Sequence, residues 1–319
     1  MPLALYPLSL AVTPRAHFTL QLPGNRALTL GDRTLVMGIL NVTPDSFADG
    51  GLYLDPGAAE AAAIEMAARG ADLVDIGGES TRPGSDPISA DEEIARVRPV
   101  LERLSRSLDI PISIDTSKPE VAEVAVGEGA SIINDVTGLR GARGPSEARS
   151  GGAVRYDASL AKVAARSGAG LILMHARGGS RDMYKDANYA SVPLEVGEEL
   201  RASLERALAA GMRREGVLLD PGLGFAKRPE HSYAALAALP AFAAIGCPLV
   251  AGPSRKSFLN AAIGDRSPGE RDMATAASVA AAVLLGAHVV RVHNVPAMVD
   301  VVRVADRIRG AGVQNRSLL

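Results

Sequence analysis

The sequence predicts an α/β fold, a (β/α)8 TIM barrel with an N-terminal β-hairpin. Three observations predict it. Eight short apolar runs with strand character recur between residues 34 and 292. Amphipathic, helix-like stretches separate them. The segments that follow the runs are polar, while those leading into them are bland (RGA, EGA, SGA, LGA). Eight strand-then-helix units over about 280 residues match a barrel in count and size. The alternative, an open doubly wound sheet, usually carries a glycine-rich fingerprint after its first strand. Here that position reads NVTPDSFADGG, which is no such fingerprint.

Each element has its own signal. Residues 17–30, HFTLQLPGNRALTL, show two alternating runs around Pro-Gly-Asn, the pattern of a hairpin. The strand runs are 34–40, 71–76, 110–114, 130–133, 169–174, 216–219, 248–251 and 287–292. Asp55 before Pro56 predicts an N-cap followed by proline in the first helical turn. Ser117 with Glu120 and Pro119 predicts a capping box. Pro99 falls inside the helical stretch 91–108, so a kink or break is expected there. Leu200, Leu204 and Leu208 recur every four residues, as one buried helical face requires. Residues 139–157, rich in Gly, Arg and Ser, exceed a normal βα loop and read as a mobile surface loop or an insertion. The expected organisation is an extension and hairpin over 1–33, a barrel over 34–312 and a tail over 313–319.

Bulk properties exclude several function classes. Hydrophobic residues make up 47% and charged residues 22%, the globular range. The formal net charge of −2 gives no bulk electrostatic reason to bind nucleic acid or an anionic membrane. The one cysteine, Cys247, sits in IGCPLV and reads as a small core residue; a chain with a single cysteine suits a reducing compartment. The N-terminus, with prolines at 2 and 7 and no basic residue before Arg15, makes a poor signal peptide. A cytoplasmic protein is expected.

In a (β/α)8 barrel the chemistry lies at the C-terminal ends of the strands. Asp115, Asn134 and Asp220 each sit just past a strand run. Together they supply acceptors and an amide suited to a flat heterocycle with several N–H groups and a carbonyl. The competing assignment for each is a helix N-cap, but three on strand ends favour ligand contact. Arg255-Lys256 and the pair Arg291 and His293 are the cationic counterpart. Residues 291 and 293 point to one side of a strand, at the position where barrels commonly bind phosphate. Asn41 could hold a hard cation such as Mg2+. His175 is a possible acid or base or a structural histidine; His17, His231 and His288 read as structural. These residues point to an enzyme that displaces a phosphate or pyrophosphate group beside a heterocycle site.

The runs VMGILNVTPDSFADGG, DIGGESTRPG, SIDTSKP, INDVTG, LDPGLGFAK, GPSRKSF and RVHNV, in that order, resemble those of the dihydropteroate synthase family. The resemblance spans residues 34–310. It implies a barrel enzyme of folate synthesis that joins 6-hydroxymethyl-7,8-dihydropterin diphosphate to p-aminobenzoate and releases pyrophosphate. It also implies Mg2+, a homodimer and the enzyme that sulfonamides target. By this resemblance Asp115, Asn134, Asp220 and Lys256 hold the pterin, with Met174 packed under its ring. Asn41, Arg291 and His293 hold the diphosphate, with Mg2+ near Asn41. Thr81, Arg82 and Pro83 form a loop over p-aminobenzoate, and Ser254 and Phe225 line its pocket. The catalytic set is Asp115, Asp220, Lys256, Arg291 and His293. Two rivals share parts of this pattern: a methyltetrahydrofolate-dependent methyltransferase and a catalytically silent pterin binder. The intact SRKS and RVH runs argue against both. The chain departs from the family at Asn294, where the family usually has aspartate, and in the HARGG turn after the fifth run.

Overall fold

The computed structural model describes residues 12–43, 55–80, 85–140, 156–178, 184 and 187–316. Strands β1 (Phe18–Leu22) and β2 (Arg26–Leu30) pair antiparallel and form the expected hairpin. Its turn places Gly24 and Asn25 at positive φ, conformations that glycine and asparagine tolerate best. Eight parallel strands follow: β3 (Leu35–Asn41), β4 (Leu73–Gly77), β5 (Ile112–Asp115), β6 (Ile132–Asp135), β7 (Gly170–Met174), β8 (Val217–Asp220), β9 (Val250–Ala251) and β10 (Val289–Val292). Their order is β8-β7-β6-β5-β4-β3-β10-β9. A parallel bridge between Leu219 and Leu249 joins β8 to the start of β9 and closes the ring.

The helices are α1 (Pro56–Ala68), α2 (Ala90–Ser107), α3 (Pro119–Gly127), α4 (Ser159–Ser167), α5 (Val192–Ala209), α6 (Pro229–Ala237), α7 (Leu239–Ala243), α8 (Asn260–Ile263), α9 (Asp272–Leu284) and α10 (Val295–Arg316). Asp55 caps α1 as expected, accepting from the Ala58 amide, with Pro56 in the first turn. Leu200 and Leu204 are buried in α5 and Leu208 packs partly against the same core.

Two local expectations fail. Helix α3 starts at Pro119 with Lys118 at the cap and no side-chain capping bond, so the Ser117–Glu120 box does not form. The Thr116 hydroxyl accepts the Lys118 amide instead, at 3.2 Å. Helix α2 runs unbroken through Pro99. Proline removes one backbone bond, worth about 3 kcal/mol with its clash. Val97, Val100, Leu101 and Leu104 are all fully buried around it, and their packing outweighs that loss.

The barrel interior is built in layers by strand alternation. Leu35, Met37, Leu73, Ile132, Ile172, Leu218, Val250 and Val289 form its apolar lower part, together with Leu20, Leu22 and Leu30 of the hairpin. The hairpin thus stops the N-terminal pole. Two residues further along, the inward positions of five strands turn polar: Asp75, Asp115, Asn134, Asp220 and Arg291. Of the 139–157 segment, Leu139 is buried and its carbonyl accepts from the Asp157 amide at 2.9 Å, so the two ends of the segment meet. Residues 141–155 between them lie outside the described residues.

Candidate active site

Strand register places the polar residues side by side. Asn41 pairs with Gly77, Gly77 with Asp115, and Asp115 with Asn134. In a parallel sheet, residues in register face the same way, so this row points into the barrel mouth. The row beneath holds Ile39, Asp75 and Ser113. A Cβ at Gly77 would make ordinary contact with the row, 3.7 Å from both Asn41 Oδ1 and Asp115 Cβ.

Arg291 rises from β10 and joins the two rows. Its Nε donates to Asp75 Oδ2 at 2.6 Å and its Nη2 to Asp115 Oδ2 at 2.7 Å. Asn134 Nδ2 donates to the same Asp75 oxygen at 3.0 Å. Burial alone would lower the guanidinium pKa, but Asp75 and Asp115 together outweigh it and hold the group above its ordinary value. Asp115 is affected more strongly by burial, which pushes its carboxyl up to about 7 against the pull of Arg291. Asp220 is pushed by burial up to about 6, although the Gly222 amide donates to its Oδ1 at 2.7 Å. Among the described residues, Asp75 Oδ1, Asp115 Oδ1 and Ser113 Oγ are buried without a hydrogen-bond partner. A buried orphan acceptor costs about 1–3 kcal/mol, which a ligand N–H would recover.

Above these rows lies a cavity of about 500 Å3. Of the residues expected in the site, it is lined by Asn41, Asp115, Phe225, Ser254, Lys256, Arg291 and His293. Lys256 Nζ stands 3.8 Å from the centre of the Phe225 ring, a cation–π contact. Ser254 Oγ and His293 Nδ1 are 2.9 Å apart. Asn134, Asp220 and Met174 are buried at the strand ends and are not part of the lining. Asp220 still faces it closely, its Oδ2 lying 3.9 Å from where a Cβ on the lining residue Gly252 would sit. Thr81, Arg82 and Pro83 lie outside the described residues.

Two expected candidates take other roles. Arg255 touches the rim, but its guanidinium turns to Asp272 on α9. His175 is buried away from the cavity, with Nδ1 2.7 Å from Lys227 Nζ and Nε2 3.2 Å from Glu199 Oε2. Burial, with the Lys227 ammonium beside it, pushes the imidazole down to about 3, so His175 stays neutral and serves as a spacer between Lys227 and Glu199. His288 is structural, accepting from the Leu249 amide and contacting the Ala16 carbonyl. Cys247 is buried, and burial raises its thiol pKa, as a core residue requires.

Sequence reasoning missed Asp75 as a site residue. Its signal was present: a carboxylate at an inward position of an otherwise apolar strand, which needs a buried partner.

The chain matches the pterin binding enzyme family over residues 37–293. It is 40% identical to a dihydropteroate synthase of Synechocystis sp. over 293 residues, covering 92% of this chain and 96% of that protein. The chain belongs to the dihydropteroate synthase family. Its function is that family's reaction, the condensation of 6-hydroxymethyl-7,8-dihydropterin diphosphate with p-aminobenzoate to 7,8-dihydropteroate and pyrophosphate. Two solved structures share the architecture. A Yersinia pestis dihydropteroate synthase in a sulfonamide complex aligns with TM-score 0.82 at 35% identity, covering 93% of this chain and all of that one. A Burkholderia cenocepacia dihydropteroate synthase complexed with 7,8-dihydropteroate aligns with TM-score 0.77 at 39% identity, covering 93% and 98%. Membership in the dihydropteroate synthase family sets aside the methyltransferase and silent-binder rivals.

Proposed function

We propose that the polar rows and the cavity divide the synthase reaction between them. The pterin sits on the strand ends, where Asp220, Asn134 and Asp115 meet its N–H groups and carbonyl, Lys256 holds it from the side and Met174 packs under the ring. The orphan acceptors beneath Asp115 support this reading. The diphosphate takes the opposite wall. Arg291 uses Nε and Nη2 for Asp75 and Asp115. A guanidinium has five N–H donors, so it retains others for phosphate oxygens. His293 and Asn41 stand beside it in the cavity lining. p-Aminobenzoate lies toward Phe225 and Ser254. Sulfonamides take the place of p-aminobenzoate.

Mg2+ fits this donor set. Among the described residues no cluster of three acidic, histidine or cysteine side chains could cage a metal. Mg2+ is commonly held by one or two protein oxygens plus substrate phosphates, and Asn41 offers one such oxygen. When bound, the ion supplies charge to the departing diphosphate. The residues of this chain do the rest. Asp115 and Asp220 are negative once ionised and lie where positive charge develops at the pterin methylene. Arg291 and His293 hold the leaving group, and the aryl amine needs no activating base.

The protein works as a cytoplasmic homodimer. Support comes from apolar side chains left exposed on the packed pair α9 and α10: Met273 at 81%, Val304 at 61% and Ile308 at 49%. Val304 and Ile308 lie four residues apart on one helical face.

The observation that carries the proposal is the single guanidinium bridging two buried carboxylates at the mouth. It is tested by mixing the protein, the dihydropterin diphosphate, p-aminobenzoate and Mg2+, and following both products. Equimolar pyrophosphate and dihydropteroate, lost in Arg291→Ala, is the expected result. Turnover unchanged in that variant would overturn the assignment of the anion wall.

A further inference from the structure

The turn that carries Ser254 and Lys256 is held by the start of α9 and the residue before it. Arg255, between them, has φ +56°, a strained conformation for a residue with a side chain. Three groups of the α9 region hold it there. The Arg255 amide donates to Thr275 Oγ1 at 3.0 Å, and its carbonyl accepts from Arg271 Nη1 at 2.8 Å. Its side chain grips Asp272 with two bonds, Nε to Oδ1 at 2.8 Å and Nη2 to Oδ2 at 3.1 Å. With the Arg255 guanidinium engaged by Asp272 at the rim, Ser254 and Lys256 both face the cavity.

Asp272 also reaches the neighbouring strand end. Asn294 Nδ2 donates to Asp272 Oδ2 at 2.8 Å, while Asn294 Oδ1 accepts the Ala297 amide at 3.3 Å in the first turn of α10. Only this orientation of the amide satisfies both partners. Arg255 and Asn294 therefore donate to one oxygen atom. A carboxylate at 294 would put a second negative group beside Asp272 and still lie next to the Arg255 guanidinium.

The geometry points to Asp272 as a positioning residue for the synthase reaction. It supplies the carboxylate that locks the Ser254–Lys256 turn to the end of β10, and Asn294 is its neutral complement. Lys256 at one end of this lock and His293 at the other are thereby held at a fixed separation, tightened by the bond between Ser254 and His293. Asp272 itself does not line the cavity.

The inference rests on the synthase activity, and wild-type turnover in the same assay keeps failure of that activity distinct from failure of this lock. Asp272→Asn, Asn294→Asp and the double variant are compared with wild type. kcat/KM for the dihydropterin diphosphate is measured well below each thermal midpoint, at saturating p-aminobenzoate. Asp272→Asn is expected to lose about tenfold or more, because small misplacement of reacting groups has effects of that order. Asn294→Asp is expected to lose activity by like-charge repulsion. The double variant returns a carboxylate to Arg255 from the other side and is expected to recover to within about threefold of wild type, a strong coupling between the two sites. Wild-type kcat/KM in Asp272→Asn would overturn the proposal. So would a double variant whose loss equals the product of the two single losses, whatever the thermal midpoints do.

Discussion

Replacing Arg291 by alanine leaves Asp75 and Asp115 facing each other, both buried, with no cation between them. Breaking a buried ion pair from one side costs about 3–5 kcal/mol. Arg291→Ala is therefore expected to lower the urea midpoint as well as abolish turnover, and part of the stability should return at pH 5, where Asp115 takes up a proton. A midpoint loss equal at pH 5 and pH 8 would contradict this. Asp115 and Asp220 make a related prediction. Their folded pKa values, about 7 and about 6, lie above the ordinary 3.8 because burial disfavours the charge. Between those values and 3.8 the folded protein holds protons that the unfolded chain has released, so these groups lose stability as pH rises through that window. Asp220→Asn should thus stabilise the unliganded protein more at pH 8 than at pH 5, seen by thermal unfolding, while weakening pterin binding. Wild-type pterin affinity should rise over the same window, because pterin N–H groups favour the ionised carboxylates. Most residues of the candidate site could be named from the sequence because strand ends in a barrel are a known location for chemistry. Asp75 could be seen as a buried carboxylate, but not its partner Arg291, more than two hundred positions away in the chain.

At the scale of elements, alternation and apolar runs were enough to read the hairpin and eight strands, since a buried parallel strand has few other sequence forms. The local errors share one cause: tertiary contacts override a short-range rule. Lys118 at the α3 cap spends its ammonium on Glu79 and Glu93, tying the α3 start to the end of β4 and to α2. Pro99 stays helical because the opposite face of α2 is buried, and Pro99 itself is exposed. Pro99→Ala should therefore raise stability by roughly 1–2 kcal/mol, less than the full helix-interior penalty because the unfolded chain also gains freedom. Urea unfolding checks it, and a destabilised variant would show that the helix has adapted to its proline. Gly222 is the opposite case. It has φ +66°, and a Cβ there would lie 2.0 Å from the His175 carbonyl oxygen. Gly222→Ala should displace the loop that carries Phe225 and lower both stability and kcat/KM, whereas unchanged kinetics would show that the loop can shift freely.

Across the whole molecule, the two poles of the barrel have separate tasks. The lower pole is apolar and stoppered by the hairpin; the upper pole carries the chemistry. Leu20, fully buried in the hairpin, should on truncation to alanine cost about 2–4 kcal/mol of stability while kcat/KM stays within about twofold. A large kinetic loss in that folded variant would mean that the poles are coupled. The first and last described segments belong to the lower pole. Arg15 bonds Thr34, the Ala287 carbonyl and Asp306 of α10, and Val12 lies against Gly312. The first and last described segments are therefore fastened to each other on the face turned away from the substrates. For practical handling this makes the molecule polarised: a linker attached at either of these segments would fix it to a bead or sensor chip with its open mouth toward the liquid.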